Sequence, residues 1–184
     1  MAVGDGPAMA LERLRRILRG ERHRGRAFQP HFPPSHVAAS WLGGLIAITA
    51  LGLLSQWSGY GLVVAPFGAS TVLLFGHPES PLAQPRNLVL GNTMAAIAAV
   101  LCVDLLGRTP LSMGLAVGLA IAAGQLLRCL HPPAGAVALL GVLLLAPPSF
   151  VLLPVLASSL LLVLLAYLFH RLVPATGAWP HHWL

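Results

Sequence analysis

Six apolar runs, separated by short polar segments, constrain the fold of this chain more than any other feature. They cover residues 37–54, 61–76, 88–106, 111–127, 134–146 and 150–169. A helix rises about 1.5 Å per residue, so crossing a hydrocarbon core of about 30 Å takes about 20 residues. The first, third, fourth and sixth runs are credible spans, whereas the second and fifth are too short. The pattern predicts an all-α polytopic membrane protein with four full transmembrane helices and two short helices.

The composition also indicates that lipid is the solvent. Hydrophobic residues make up 57% of the chain and charged residues only 9%, whereas a soluble domain carries about 25% charged residues. The two short runs are therefore predicted to be broken or re-entrant helices. A membrane tolerates such segments only where they are buried in protein or line a cavity.

A pair of prolines interrupts the most apolar part of the chain. Pro132 and Pro133 lack a backbone N–H and push the preceding residue, His131, out of helical geometry. Proline is favourable in the first turn of a helix, so Pro133 is predicted to open a short helix through residues 134–137. The stretch predicts a chain break followed by a new helix N-terminus at membrane depth.

A second proline-initiated segment precedes this one by 67 residues: residues 66–69 read Pro-Phe-Gly-Ala and residues 133–136 read Pro-Ala-Gly-Ala. Moving 26 residues beyond each proline reaches the polar residues Asn92 and Ser159. The chain is therefore predicted to contain two structural repeats, about residues 36–106 and 110–170. The repeats are inverted if the short helices cross the membrane and parallel if they dip in and return, and both arrangements stay open.

Arginine is concentrated near the N-terminus. All 11 basic residues other than histidine are arginines, seven of them lie within the first 26 residues, and the net charge is +6. The positive-inside rule places this end in the cytoplasm. Apolar residues on one face of residues 10–19 predict a helix that lies on the membrane surface. Anionic lipid is favoured over nucleic acid as the partner of its arginines.

These features predict the domain organisation and the location. We expect residues 1–35 to form a basic cytoplasmic tail, 36–171 the transmembrane domain and 172–184 a loose C-terminal tail. The N-terminal segment has more acids and fewer serines than an organelle transit peptide. The chain is therefore predicted to be a multi-pass protein of the prokaryotic inner membrane.

Three motifs, in this order, resemble the HPP family of small integral membrane proteins. They are residues 66–70 (Pro-Phe-Gly-Ala-Ser), residues 81–87 (Pro-Leu-Ala-Gln-Pro-Arg-Asn) and residues 131–133 (His-Pro-Pro), the triplet that gives the family its name. The resemblance covers about residues 36–170. It implies four transmembrane helices and, from some plant and cyanobacterial relatives, an association with nitrite transport.

The two short-helix starts are the candidate substrate site. A helix N-terminus offers unpaired N–H groups and about half a positive charge, which suits a small anion. The predicted binding residues are Pro66, Gly68, Ala69, Ser70, Thr71, His131, Pro133, Gly135 and Ala136. His131, whose reference pKa is about 6.5, either caps the preceding helix or couples anion movement to a proton. Asn92, Gln125 and Arg86 are predicted pathway residues, with interhelix hydrogen bonding or topology as the structural alternatives.

The leading functional hypothesis is a channel or secondary transporter for a small inorganic anion, with nitrite as the first candidate. The alternative is a non-transporting scaffold or sensor. An enzyme is not expected, because the two acids of the membrane region, Glu79 and Asp104, have no close His/Asp/Ser grouping. We predict no catalytic residue, metal or cofactor. The expected partners are the bilayer, anionic lipid at the N-terminus, the anion and further copies of the chain in a homo-oligomer, but no nucleic acid.

Overall fold

The computed structural model describes residues 7–28, 31–59 and 64–183. These residues contain seven α-helices: α1 (Pro7–Phe28), α2 (Pro34–Ser58), α3 (Val64–Gly76), α4 (Pro85–Leu106), α5 (Pro110–Leu126), α6 (Ala134–Leu143) and α7 (Ala157–Leu172). A wide helical turn, Val151–Leu156, leads into α7, and two 3-10 turns cover Pro81–Ala83 and Pro174–Thr176. The described part of the chain has no β-strand, which confirms the all-α prediction.

The chain divides into two compact units, residues 1–34 and 35–184. In the first unit α1 has 22 residues and is longer than the predicted helix at residues 10–19. The apolar spacing that suggested the shorter helix ends at Leu18, but the chain stays helical beyond it. Glu21 and Arg24 form an ion pair of 2.9 Å one turn further on, and such pairs support an exposed helix.

Three helices are long and apolar enough to cross a membrane: Pro34–Trp57, Pro85–Leu106 and Val151–Leu172. Helices α3, α5 and α6 are shorter apolar helices. Two of these, α3 and α6, are the predicted short helices. Pro133 is the N-cap of α6, one position before the predicted first helical residue, and α3 begins at Val64, two residues before the predicted start at Pro66. The third, α5, has 17 residues and is about 25 Å long.

Helix α4 forms the centre of the second unit and packs against α5, α6 and α7. Small residues allow the close approach of α6 and of the connector before it. Gly91 of α4 lies against His131, and a Cβ placed on Gly141 of α6 would come within 2.6 Å of the Ala99 Cβ of α4. Since the two contacts follow the same order in both segments, α6 runs parallel to α4.

Other contacts give the directions of α5 and α7. Leu127, which follows α5, accepts a hydrogen bond through its carbonyl from Arg86 at the start of α4 (2.9 Å). Trp179, which follows α7, donates its indole N–H to the carbonyl of Ala83 just before α4 (3.1 Å). Both α5 and α7 therefore run antiparallel to α4.

The start of α2 lies at this same end of the unit. Ser40 of α2 donates a hydrogen bond to the Phe75 carbonyl near the end of α3 (2.6 Å), and His170 near the end of α7 bonds the Leu74 carbonyl (3.1 Å). Helices α2 and α4 thus begin, and α3, α5 and α7 end, at one end of the unit. We call it the arginine-rich end because it carries Arg86, Arg128 and Arg171.

The segment after α7 packs against the helices, so the prediction of a loose tail is wrong. Trp179 is 3% exposed and Thr176 is 2% exposed. The backbone N–H of His181 donates to the side-chain oxygen of Gln84 (2.9 Å). A buried indole and two hydrogen bonds to residues before α4 account for the ordered conformation.

Gly91→Ala is expected to lower the free energy of unfolding by about 1–3 kcal/mol, the usual cost of overpacking. The new Cβ would lie 2.8 Å from both the Cys129 carbonyl oxygen and the His131 Cβ. The matched control is Gly118→Ala in α5, where a Cβ meets nothing within 4 Å. Thermal unfolding in detergent compares the two variants, and equal stability would contradict the close contact at Gly91.

Candidate functional site

The two proline-initiated segments meet through a buried hydrogen bond. Ser70 of α3 and His131, which precedes α6, are joined by a contact of 2.8 Å between the hydroxyl and Nε2. Ser70 is 0% exposed and His131 is 2% exposed. The structure therefore brings together two predicted site residues that are far apart in the chain.

The other ring nitrogen of His131 reaches a third segment. Nδ1 lies 3.0 Å from the carbonyl oxygen of Leu82. Because a carbonyl only accepts, Nδ1 carries the proton and Nε2 of the neutral ring accepts the Ser70 hydroxyl. One imidazole thus joins residues 66–70, 81–87 and 131–133, the three motifs that carry the family resemblance.

This bonding bears on the two roles predicted for His131. Both ring nitrogens of the neutral side chain have partners, as a structural role requires. A proton on Nε2 would turn that atom into a donor, so the Ser70 hydroxyl would have to rotate and donate elsewhere. The coupling role stays a prediction that depends on this rotation.

Polar side chains from the start of α4 hold the connector between α5 and α6. Arg86 donates to the carbonyl of Leu127 (2.9 Å), and Asn87 donates to the carbonyl of Leu130 (2.8 Å). The Leu127 carbonyl lies at the end of α5, where carbonyls lack an intrahelical partner, and the Leu130 carbonyl belongs to the connector itself. Arg86, predicted as a pathway residue, therefore positions the connector that carries His131, and its pathway role stays a prediction.

The first amides of α6 already have acceptors. The N–H groups of Ala134, Gly135 and Ala136 donate to the carbonyls three residues earlier, at 2.9, 3.2 and 3.0 Å. An anion at this helix start would have to share these donors or replace the turn carbonyls. Pro133 is buried and Ala136 is exposed, so this end of the predicted site extends from the interior to the surface.

At the other predicted helix start, Pro66, Ser70 and Thr71 are buried, whereas Ala69 is exposed and Gly68 is half-buried. The Thr71 hydroxyl has no hydrogen-bond partner among the described residues. A buried hydroxyl without a partner is unusual and marks a place where a ligand or water would be favourable. Residues 61–63, which begin the predicted second run, lie outside the described residues.

Asn92 and Ser159 form a second polar contact inside the helices. The Asn92 amide nitrogen lies 3.4 Å from the Ser159 hydroxyl, and both residues are 0% exposed. The amide oxygen of Asn92 has no partner among the described residues. Gln125 is exposed, so the structure does not bring this predicted pathway residue to either polar contact.

Sequence analysis missed a second buried histidine, His170. Its Nδ1 contacts the Thr176 hydroxyl (2.8 Å), its Nε2 contacts the Leu74 carbonyl (3.1 Å), and its ring stacks on Phe75 (5.7 Å between centroids). The sequence signal was a histidine that ends an apolar run directly before Arg171. His170 links α3, α7 and the segment after α7.

Comparison with known proteins places the chain among membrane proteins. A family model described as "HPP, transmembrane region" matches residues 29–180. One transmembrane protein of Dictyostelium discoideum is 42% identical over 116 residues, which cover 56% of this chain and 36% of that relative. Another from the same organism is 30% identical over 172 residues, which cover 86% of this chain and 60% of that relative. No solved structure matches the chain.

The comparisons support a multi-pass membrane protein. This chain spans about a third of the length of the first relative and three fifths of the second. Both relatives come from Dictyostelium discoideum, so the prokaryotic inner membrane stays a prediction. The names of both relatives state a membrane location and no transported substrate.

Proposed function

The chain belongs to the HPP family of transmembrane proteins, and we propose that it is a channel or secondary transporter for a small inorganic anion rather than an enzyme. The observation that carries the proposal is the convergence of the three family motifs on His131. Broken helices at membrane depth suit a polar pathway, because protein groups and not lipid surround their free backbone groups. Nitrite is the leading candidate, since the resemblance to relatives associated with nitrite transport implies it.

An inverted repeat is part of this proposal. In the first half, α2 and α4 run away from the arginine-rich end and α3 runs towards it, and in the second half α5, α6 and α7 have the opposite directions. Asn92 and Ser159, which stand at equivalent positions of the two halves, contact each other. Equivalent residues meet in this way at a two-fold axis between repeats, where transporters commonly bind their substrate.

We also propose that α5 is the fourth crossing. It begins just after α4 ends, and the carbonyl that follows its last turn is bound by Arg86 at the start of α4. Helix α5 and its caps therefore cover nearly the same height as α4, although α5 has only 17 residues. The four-span prediction then includes α2, α4, α5 and Val151–Leu172.

The proposed orientation has the arginine-rich end in the cytoplasm. Arg86, Arg128 and Arg171 lie at this end, and the segment before α2 contains seven further arginines. Arg108, which donates to the Leu143 carbonyl (3.2 Å), lies at the opposite end. The positive-inside rule then places the N-terminus in the cytoplasm, where its arginines favour anionic lipid. We include a homo-oligomer in the proposal, because so few spans enclose a pathway only narrowly.

One observation favours the alternative, a non-transporting scaffold or sensor. The first amides of α6 are bonded to carbonyls of the preceding turn, so they are not free donors for an anion. In a scaffold these bonds and the His131 contacts would only stabilise the chain break. Transport and scaffold functions differ directly in whether anions cross a membrane that contains the protein.

The test is nitrite flux into vesicles that contain the purified full chain. We expect nitrite to enter faster than into protein-free vesicles and the entry to saturate or to depend on protein density. Gluconate, a larger anion, is the control for leakage. Chloride flux without nitrite flux would support anion transport but exclude nitrite as the substrate. Equal rates with and without protein would favour the scaffold.

A further inference from the structure

A pocket of about 500 Å³ lies at the arginine-rich end, between the last turns of α7 and the segment that follows it. Its walls include Tyr167, His170, Arg171, Trp179 and Trp183. None of the described residues that line it is acidic. The pocket therefore combines aromatic surface with positive charge and is separate from the contacts of His131.

Arg171 is the cation of this pocket that is available for a ligand. Its guanidinium carbon lies 5.5 Å from the centre of the Tyr167 ring, and the side chain is exposed. Within the described part of residues 35–184, no carboxylate pairs with it. His170 offers no free nitrogen in its neutral form, since both ring nitrogens contact other groups.

Two aromatic rings form the wall beside this cation. Tyr167 and Trp183 lie 5.7 Å apart between ring centroids, and Trp183 is 54% exposed. Arg171 is the last residue but one of the apolar segment Val151–Leu172. Aromatic and basic residues at the end of a span lie at the depth of lipid headgroups.

We infer that this pocket binds the headgroup of an anionic phospholipid. The Arg171 guanidinium pairs with the lipid phosphate, since its planar fork matches phosphate oxygens, and the Tyr167 and Trp183 rings contact the glycerol and first acyl carbons. The positive charge and the absence of acids along the described lining complement a negative headgroup. This site does not depend on whether the protein transports anions.

The test is native mass spectrometry of the full chain released from detergent, with phosphatidylglycerol or phosphatidylcholine added at equal ratios. We expect the protein to retain one phosphatidylglycerol in preference to phosphatidylcholine. Arg171→Gln should lower the retained fraction about ten-fold, the size of a lost charge-assisted contact, and Arg171→Lys should lower it less. Trp183→Ala tests the aromatic wall independently of charge.

Arg128→Gln is the matched control, because it removes one exposed positive charge from the same end outside the pocket. Thermal unfolding without added lipid establishes that every variant is folded. Equal retention of the two lipids, unchanged retention by Arg171→Gln and Trp183→Ala, or an equal loss in Arg128→Gln would overturn the proposal. Displacement of the lipid by equimolar soluble glycerol phosphate would also overturn it, because the pocket would then recognise phosphate esters without a lipid.

Discussion

The His131→Ala variant is expected to lose about 2–5 kcal/mol of unfolding free energy, because it combines a buried cavity with unpaired polar groups. The wild-type ring contacts the Ser70 hydroxyl at 2.8 Å and the Leu82 carbonyl at 3.0 Å. Alanine leaves both groups buried without these partners and removes the link between three segments. Denaturation by SDS in mixed micelles, followed by tryptophan fluorescence, measures the change.

Ser70→Ala and the double variant separate the bond from the cavity. Ser70→Ala alone is expected to cost about 1 kcal/mol, and the double-mutant cycle should give a coupling of about 0.5–1.5 kcal/mol. Strictly additive effects would show that Ser70 and His131 do not interact. A His131→Ala variant as stable as the wild type would contradict the buried bridge itself.

The elements of this fold were predictable where a local rule determines them. Pro133 opens α6 because proline suits the first turn, and the short second run forms α3. The residue at which α5 ends was less predictable, since Leu126 and Leu127 are equally apolar. The helix ends because the chain reverses at Arg128, which has a φ of 53°.

The candidate site was predictable in its residues but not in its bonding. Sequence placed Ser70 and His131 in related segments, yet only the three-dimensional structure shows that their side chains meet. The Leu82 carbonyl that bonds His131 is a backbone group 49 residues away, so no residue type signals it. The first amides of α6 are another case. A helix N-terminus is expected to have unpaired N–H groups, but the turn before α6 supplies carbonyl acceptors for them.

The repeat offset related two polar residues that the structure brings into contact. Asn92 and Ser159 were paired by their distance from Pro66 and Pro133, and they lie 3.4 Å apart. Both are 0% exposed, and polar groups inside membrane helices are rare unless they serve packing or function. The amide oxygen of Asn92 is left without a partner among the described residues. An amide oxygen only accepts, so an anion would bind the amide nitrogen, which has two N–H donors and uses one of them for the contact with Ser159.

Asn92→Ala is therefore expected to lower anion flux at least about ten-fold, because losing a hydrogen bond to a charged ligand costs about 1.5–3 kcal/mol. Its unfolding free energy should change by less than about 1 kcal/mol, since the lost contact is long and one orphan group disappears with it. Flux into vesicles is measured alongside SDS denaturation of the same preparation.

Thr93→Ala is the matched control for this change. Thr93 is the next polar residue of α4, but its hydroxyl donates to the Val89 carbonyl of its own helix (2.7 Å), so its removal should leave flux within about two-fold of the wild type, the effect of less than one hydrogen bond. Wild-type flux in Asn92→Ala would make the contact with Ser159 a packing bond between α4 and α7. A loss of flux together with a large loss of stability would lead to the same conclusion. Only a loss of flux in a stable protein supports a binding role, because a packing bond stabilises the fold and a binding group does not need to.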